Sequence, residues 1–110
     1  MELPSNVRFI NNNLKEEFNR LLKRGDTREL YEAINKAIGE LEQNAFSGIQ
    51  IPKRLIPKGY IQNYDISNLW KYNLSSGWRL IYTIKRDQII VVSLILEWLD
   101  HPNYERKFKY

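Results

Sequence analysis

Residues 69–98 read LWKYNLSSGWRLIYTIKRDQIIVVSLILEW. Aromatic and β-branched residues crowd three runs, Leu69–Ser75, Trp78–Lys85 and Gln88–Trp98, separated only by Ser76-Gly77 and Arg86-Asp87. The pattern predicts three strands, and connections this short predict an antiparallel meander. Side chains alternate along a strand, so parity assigns faces. Trp78, Leu80, Tyr82 and Ile84 form one apolar set, with Trp70, Tyr72 and Leu74 as its bulky neighbours. Arg79, Ile81, Thr83 and Lys85 take the other face, together with Leu69, Lys71 and Asn73. In the last run Ile90, Val92, Leu94, Leu96 and Trp98 oppose Ile89, Val91, Ser93, Ile95 and Glu97, and both sets are rather apolar. A strand apolar on both faces belongs in the middle of a sheet. Arg79 is flanked by core-type residues, where a guanidinium needs a partner or a purpose.

Upstream the hydrophobic period changes. Val7-Arg8-Phe9-Ile10 suits a short strand. Leu14, Phe18, Leu21 and Leu22 then recur at helical spacing, with Asn13 as N-cap, Glu16 three residues on, and Lys23-Arg24-Gly25 as the stop. A second helix is predicted at once, capped by Asp26 with Glu29 and striped by Leu30, Ile34, Ala37, Ile38, Leu41 and Ala45. Two helices joined so closely predict an antiparallel hairpin. Between residues 47 and 68 the helical period is lost, because Pro52 and Pro57 forbid a long helix and Gly48 and Gly59 punctuate the stretch. The final residues, from Leu99, leave the sheet and end in Phe108 and Tyr110. No repeat or linker is visible, so residues 1–110 read as a single domain. The expected class is α+β: an N-terminal strand and an antiparallel helical hairpin packed on a three-to-four-stranded antiparallel sheet.

Composition narrows the function classes. The 110 residues contain no cysteine, which excludes disulfide scaffolds, zinc ribbons and thiol catalysis. The opening Met-Glu-Leu-Pro-Ser-Asn has neither a basic nor an apolar region, so no signal peptide is expected. The apolar run Ile89–Leu96 is too short to span a bilayer, and a cytoplasmic, membrane-free protein is expected. Charge is unevenly divided. Residues 1–46 carry 7 Lys+Arg against 8 Asp+Glu, whereas residues 47–110 carry 10 against 5. Ten of the fourteen aromatic residues also fall in that basic half. Such a half suits a phosphate-bearing partner, although lysines and arginines that merely solvate a sheet face have the same composition.

The order strand, helical hairpin, meander, with Leu-Trp-Lys-Tyr (69–72), a turn and Trp-Arg-Leu-Ile-Tyr (78–82), resembles the RelE/ParE superfamily of toxins from type II toxin–antitoxin systems. The segment Asp100-His101-Pro102-Asn103-Tyr104 is similar to the family's C-terminal stretch with a His or Arg and a later Tyr. The likeness covers nearly the whole chain. Two departures stand out: Pro102 sits where many relatives have arginine, and no glutamate near the start of the meander matches the acid–base glutamate of one subgroup. A RelE-like chain implies an mRNA interferase: a ribosome-dependent mRNA endoribonuclease that inhibits translation. The resemblance also implies a co-expressed acidic antitoxin as partner, beside the ribosome and mRNA, and no small-molecule cofactor. The ParE branch implies instead a protein-binding inhibitor of DNA gyrase. A catalytically degenerate relative that binds only RNA or antitoxin is the third reading.

The residues supply a chemistry of their own. RNA cleavage without a metal needs a proton taken from the ribose 2′-hydroxyl and another delivered to the departing 5′-oxygen. His101 is the only histidine and the natural carrier. Arg79 is the candidate to hold the charged phosphorane through paired hydrogen bonds. Lys71, on the adjacent strand and the same face, either binds the phosphate or shares the base role. Tyr104 orients the nucleophile, stacks on a base or assists proton transfer. Ser93 is a further candidate by parity. Lys53, Arg54, Lys58, Arg106 and Lys107 form the expected RNA-binding set. Each has a plainer role: His101 shaping the exit from the last strand, Tyr104 packing on Phe108, the loop cations staying solvated. Trp70, Trp78 and Trp98 read as core, and Tyr60 and Tyr64 as loop anchors or base-stacking platforms. One histidine, no cysteine and the scattered Asp65, Asp87, Glu97 and Asp100 offer no metal-ligand spacing, and no Gly-rich phosphate loop is present.

Overall fold

Alternation in the meander builds the sheet. A computed structural model describes residues 2–88 and 90–109. In it β3 (Leu69–Asn73), β4 (Arg79–Arg86) and β5 (Val91–Leu99) pair consecutively and antiparallel. β1 (Asn6–Phe9) runs parallel to β5, and β2 (Ile49–Ile51) runs antiparallel to β3. The strand order β1-β5-β4-β3-β2 makes a five-stranded mixed sheet, where three or four antiparallel strands were expected. β5 is an interior strand, flanked by β1 and β4, as its two apolar faces require. The turns are longer than the sequence suggested. Residues 75–77 form a 3₁₀ turn with Ser76 and Gly77 both at positive φ, and Asp87 Oδ1 accepts from Ile90 N at 2.8 Å in the next connection. The last strand therefore starts at Val91 rather than Gln88, and Ile90 is exposed. Ile89 and Tyr110 lie outside the described residues.

One sheet face is covered by α1 (Asn12–Leu21) and α2 (Arg28–Gln43). Ile34, Ala37 and Leu41 of α2 are fully buried against Leu80, Tyr82 and Ile95, and Phe18 of α1 stacks on Tyr31 at 4.6 Å. The caps differ from expectation. Asn11, not Asn13, accepts the Leu14 N–H, at 2.8 Å. Asp26 caps nothing: residues 25–27 form a 3₁₀ turn, the Asp26 carboxylate lies 3.9 Å from Arg24, and Thr27 Oγ1 donates to Leu21 O. Ala45 is buried but sits in a short 3₁₀ turn beyond the end of α2. There the buried Tyr82 hydroxyl donates to Ala45 O at 2.7 Å and accepts from Gly48 N at 3.0 Å. Burial pushes the Tyr82 phenol up. Burial, followed by its hydrogen bond to Glu40 of α2, pushes the Tyr72 phenol up to about 12.

The opposite face, which bears Lys71 and Arg79, carries a second layer. It is built from α3 (Lys58–Tyr64) and α4 (His101–Lys107), neither of which the sequence reading contained. Proline conceals both. Pro57 precedes the first turn of α3 and Pro102 lies in the first turn of α4, where the missing N–H has no helical partner to lose. Asp100 caps α4, its Oδ1 accepting from Asn103 N at 3.0 Å. The second core joins Ile51, Ile56, Tyr60, Leu69, Ile81, Leu96, Tyr104 and Phe108. Full burial of an Ile or Leu side chain contributes about 1.5–3 kcal/mol, so this layer is a substantial part of the fold.

A bulge in β5 corrects the parity reading. Ile81 faces Glu97, but Tyr82 faces Ile95, leaving Leu96 as the extra residue. Trp98, Ile95 and Ser93 therefore share the face of α1 and α2, while Leu99, Glu97, Leu96 and Leu94 share the other. Ser93 is buried with its hydroxyl 2.8 Å from that of Ser5, which donates to Leu41 O. It lies across the sheet from Arg79 and has no place in the candidate site. No helix among the described residues is long and apolar enough to cross a membrane.

Candidate functional site

The register of β3 and β4 places two cations side by side. Lys71 faces Ile81 and Asn73 faces Arg79, so Lys71 and Arg79 are diagonal neighbours on the α3/α4 face. α4 lays Tyr104 across them. The Lys71 ammonium lies 5.0 Å and the Arg79 guanidinium 5.5 Å from the centre of its ring. His101, one turn before Tyr104, brings Nδ1 to 3.5 Å from Arg79 Nη2. The four residues expected to act together are thus gathered at one point.

Arg79 is held but not neutralised. Its Nη1 donates to Gly77 O at 2.8 Å, which ties the guanidinium to the 75–77 turn, while its Nε is buried without a hydrogen-bond partner. Among the described residues neither Arg79 nor Lys71 forms an ion pair. Nearby carboxylates are committed elsewhere. Glu105 accepts from His101 Nε2 at 2.8 Å, and Asp100 accepts from Asn103. Glu97 accepts from the Tyr60 hydroxyl and pairs with Lys107 at 2.9 Å. Burial first, then Glu97, pushes the Tyr60 phenol up. Two like charges on one ring without an anion form an electrostatically open site that favours a bound anion.

Some expected roles change. Tyr104 is only 4% exposed and stacks on Phe108 at 4.6 Å, so its ring has no open face for a base. Tyr60 is buried as well and likewise offers no stacking platform. Lys107 is spent on Glu97 and lies 5.0 Å over the Tyr60 ring, where it pins α4 to β5 rather than standing ready for phosphate. Arg106 donates to Asn103 Oδ1 and remains exposed. Lys53 and Arg54, in a 3₁₀ turn, and Lys58, which opens α3, are exposed on elements packed into the second core and so line the same side of the sheet. Trp70 and Trp78 pack against the first core, as does Trp98.

Glu105 is not among the residues the sequence singles out, and Glu97 and Tyr60 enter there only as a scattered carboxylate and as a loop anchor or base-stacking platform. The i,i+4 pair His101–Glu105 was visible only to a reading that took Asp100 and Pro102 as a helix start. The site is a surface rather than a cavity. A cleft of about 660 Å³ lies by the far end of β4 between Phe46, Trp70, Asn68 and Arg86, and contains none of the four residues. No cluster of three or more His, Asp or Glu side chains able to hold a metal ion occurs among the described residues. No family model, curated protein or solved structure matches the chain.

Proposed function

We propose that this protein is a toxin of the RelE kind, a ribosome-dependent mRNA endoribonuclease that is held inactive by an acidic antitoxin. One observation carries the reading: Lys71 and Arg79, neither of them in an ion pair among the described residues, meet on the Tyr104 ring with His101 beside them. That is an anion site with a proton carrier at its edge. The scissile phosphodiester lies against Arg79, whose fork donates to the non-bridging oxygens as charge builds on the phosphorane. His101 takes the proton of the 2′-hydroxyl, the new bond forms between that oxygen and phosphorus, and the bond to the 5′-oxygen breaks. The Lys71 ammonium protonates the departing oxygen, leaving a 2′,3′-cyclic phosphate and a 5′-hydroxyl. Tyr104 holds the two cations in place and contributes through position.

The test is incubation of the purified protein with ribosomes programmed with a defined message, alongside a supercoiling assay with purified gyrase. New 5′-hydroxyl ends on ribosome-bound message, with gyrase unaffected, are expected. Intact message together with gyrase inhibition assigns the protein to the ParE kind, and intact message with neither effect leaves only a binding protein.

A further inference from the structure

Resting on that reading, we propose that Glu105 is a positioning residue for His101, and that Nδ1 rather than Nε2 is the imidazole atom that receives the substrate proton. Two contacts carry the argument. His101 Nε2 lies 2.8 Å from Glu105 Oε1, and His101 Nδ1 lies 3.5 Å from Arg79 Nη2. A carboxylate accepts only, so Nε2 carries the hydrogen. A guanidinium donates only, so Nδ1 presents its lone pair. The two neighbours, one on α4 and one on β4, select the same neutral tautomer.

Geometry gives the choice a consequence. Nδ1 is the nitrogen on the Arg79 side, where the phosphodiester binds, whereas Nε2 faces along α4 to the next turn. The Arg79–His101 contact is long and weak, and a phosphate oxygen replaces it as the partner of Nη2. That exchange leaves the Nδ1 lone pair facing the substrate. Once Nδ1 has taken the 2′-hydroxyl proton, Glu105 accepts from the resulting imidazolium through Nε2 and offsets the charge of Arg79. The other nearby groups are engaged elsewhere: the Asp100 carboxylate is occupied by Asn103, Gly77 of the 75–77 turn lies close enough that a Cβ built on it would sit 3.6 Å from the His101 Cβ, and the Lys71 ammonium lies over the Tyr104 ring. Pro102 fits this arrangement. It sits in the first turn of the helix that sets the four-residue spacing between His101 and Glu105.

The experiment uses the full chain with ¹⁵N-labelled histidine and compares Glu105→Gln with Glu105→Ala. Glutamine keeps an acceptor for Nε2–H, and alanine does not. Long-range ¹H–¹⁵N spectra above the imidazole titration should show a protonated Nε2 and a bare Nδ1 in the parent and in Glu105→Gln. Glu105→Ala should give a mixture of both tautomers. Single-turnover cleavage of bound message should fall roughly tenfold in Glu105→Ala, with message binding unchanged and Glu105→Gln recovering most of the rate. A protonated Nδ1 in the parent, or an unaltered tautomer in Glu105→Ala, overturns the proposal. A parent that leaves message intact overturns the nuclease reading and the base role with it, and the spectra still decide the tautomer.

Discussion

Arg79 concentrates the functional argument in one side chain. Its Nη1 is tied to Gly77 O, its Nε is buried without a partner, and no acid among the described residues pairs with it. A partly buried guanidinium in that state has a free-energy cost that an incoming phosphate offsets. Arg79→Ala should therefore lower single-turnover cleavage by about 10²–10³-fold, or roughly 3–4 kcal/mol of transition-state stabilisation. Arg79→Lys should recover only part, because a point charge reaches one oxygen where the fork reaches two. Circular dichroism should report both variants folded. Cleavage at the parent rate by a folded Arg79→Ala would place the chemistry on another face. The residue itself was legible from sequence, since strand parity put a cation among core residues. Its uncompensated state was not, because that depends on where Glu97, Asp100 and Glu105 spend their charges.

At the scale of elements, site strand β3 is positioned by the close approach of β2 and the chain before it. A Cβ built on Gly48 would lie 2.6 Å from both Lys71 O and the Tyr82 hydroxyl. Gly48→Ala must displace the β3 backbone at Lys71 or break the Tyr82 hydrogen bonds to Ala45 and Gly48. Overpacking of this kind costs about 1–3 kcal/mol, and a thermal midpoint lower by on the order of 10 °C is expected. Gly39, inside α2 with nothing within 4 Å of its Cβ position, provides the contrast. Gly39→Ala should raise stability by about 0.5–1 kcal/mol. Equal midpoints for the two variants in the same thermal scan would remove the argument. Elements with long periodic patterns, α1, α2 and the meander, were readable from sequence because each repeats its signal over several turns or pairs. β2 is too short to repeat, α3 and α4 are seven-residue helices that start beside prolines, and the Leu96 bulge depends on pairing between strands. That last feature misassigned Ser93, because one extra residue inverts parity for everything before it.

Across the whole molecule, charge follows the layers. Residues 1–46, which supply α1, α2 and β1, carry one more acid than base, while residues 47–110 carry 10 Lys+Arg against 5 Asp+Glu. The basic half includes both elements of the second layer, so Lys53, Arg54, Lys58 and Arg106 accompany Lys71 and Arg79 on one side of the sheet. These outer cations are exposed, unlike the partly buried Arg79, and salt screens them within about 8–10 Å. They should therefore govern encounter and binding, and Arg79 the chemical step. For a single-stranded message each neutralised phosphate adds about −0.7 to the slope of log Kobs against log salt. Replacing Lys53, Arg54 and Lys58 together by alanine should make that slope shallower by about 2, weaken binding at low salt, and leave the single-turnover rate of bound message near the parent value. Titrations of labelled message at several salt concentrations measure the slope, and saturating single-turnover assays measure the rate. An unchanged slope would mean that the second layer's outer cations only solvate the surface. A lost rate at saturation would place one of them in the chemistry alongside Arg79.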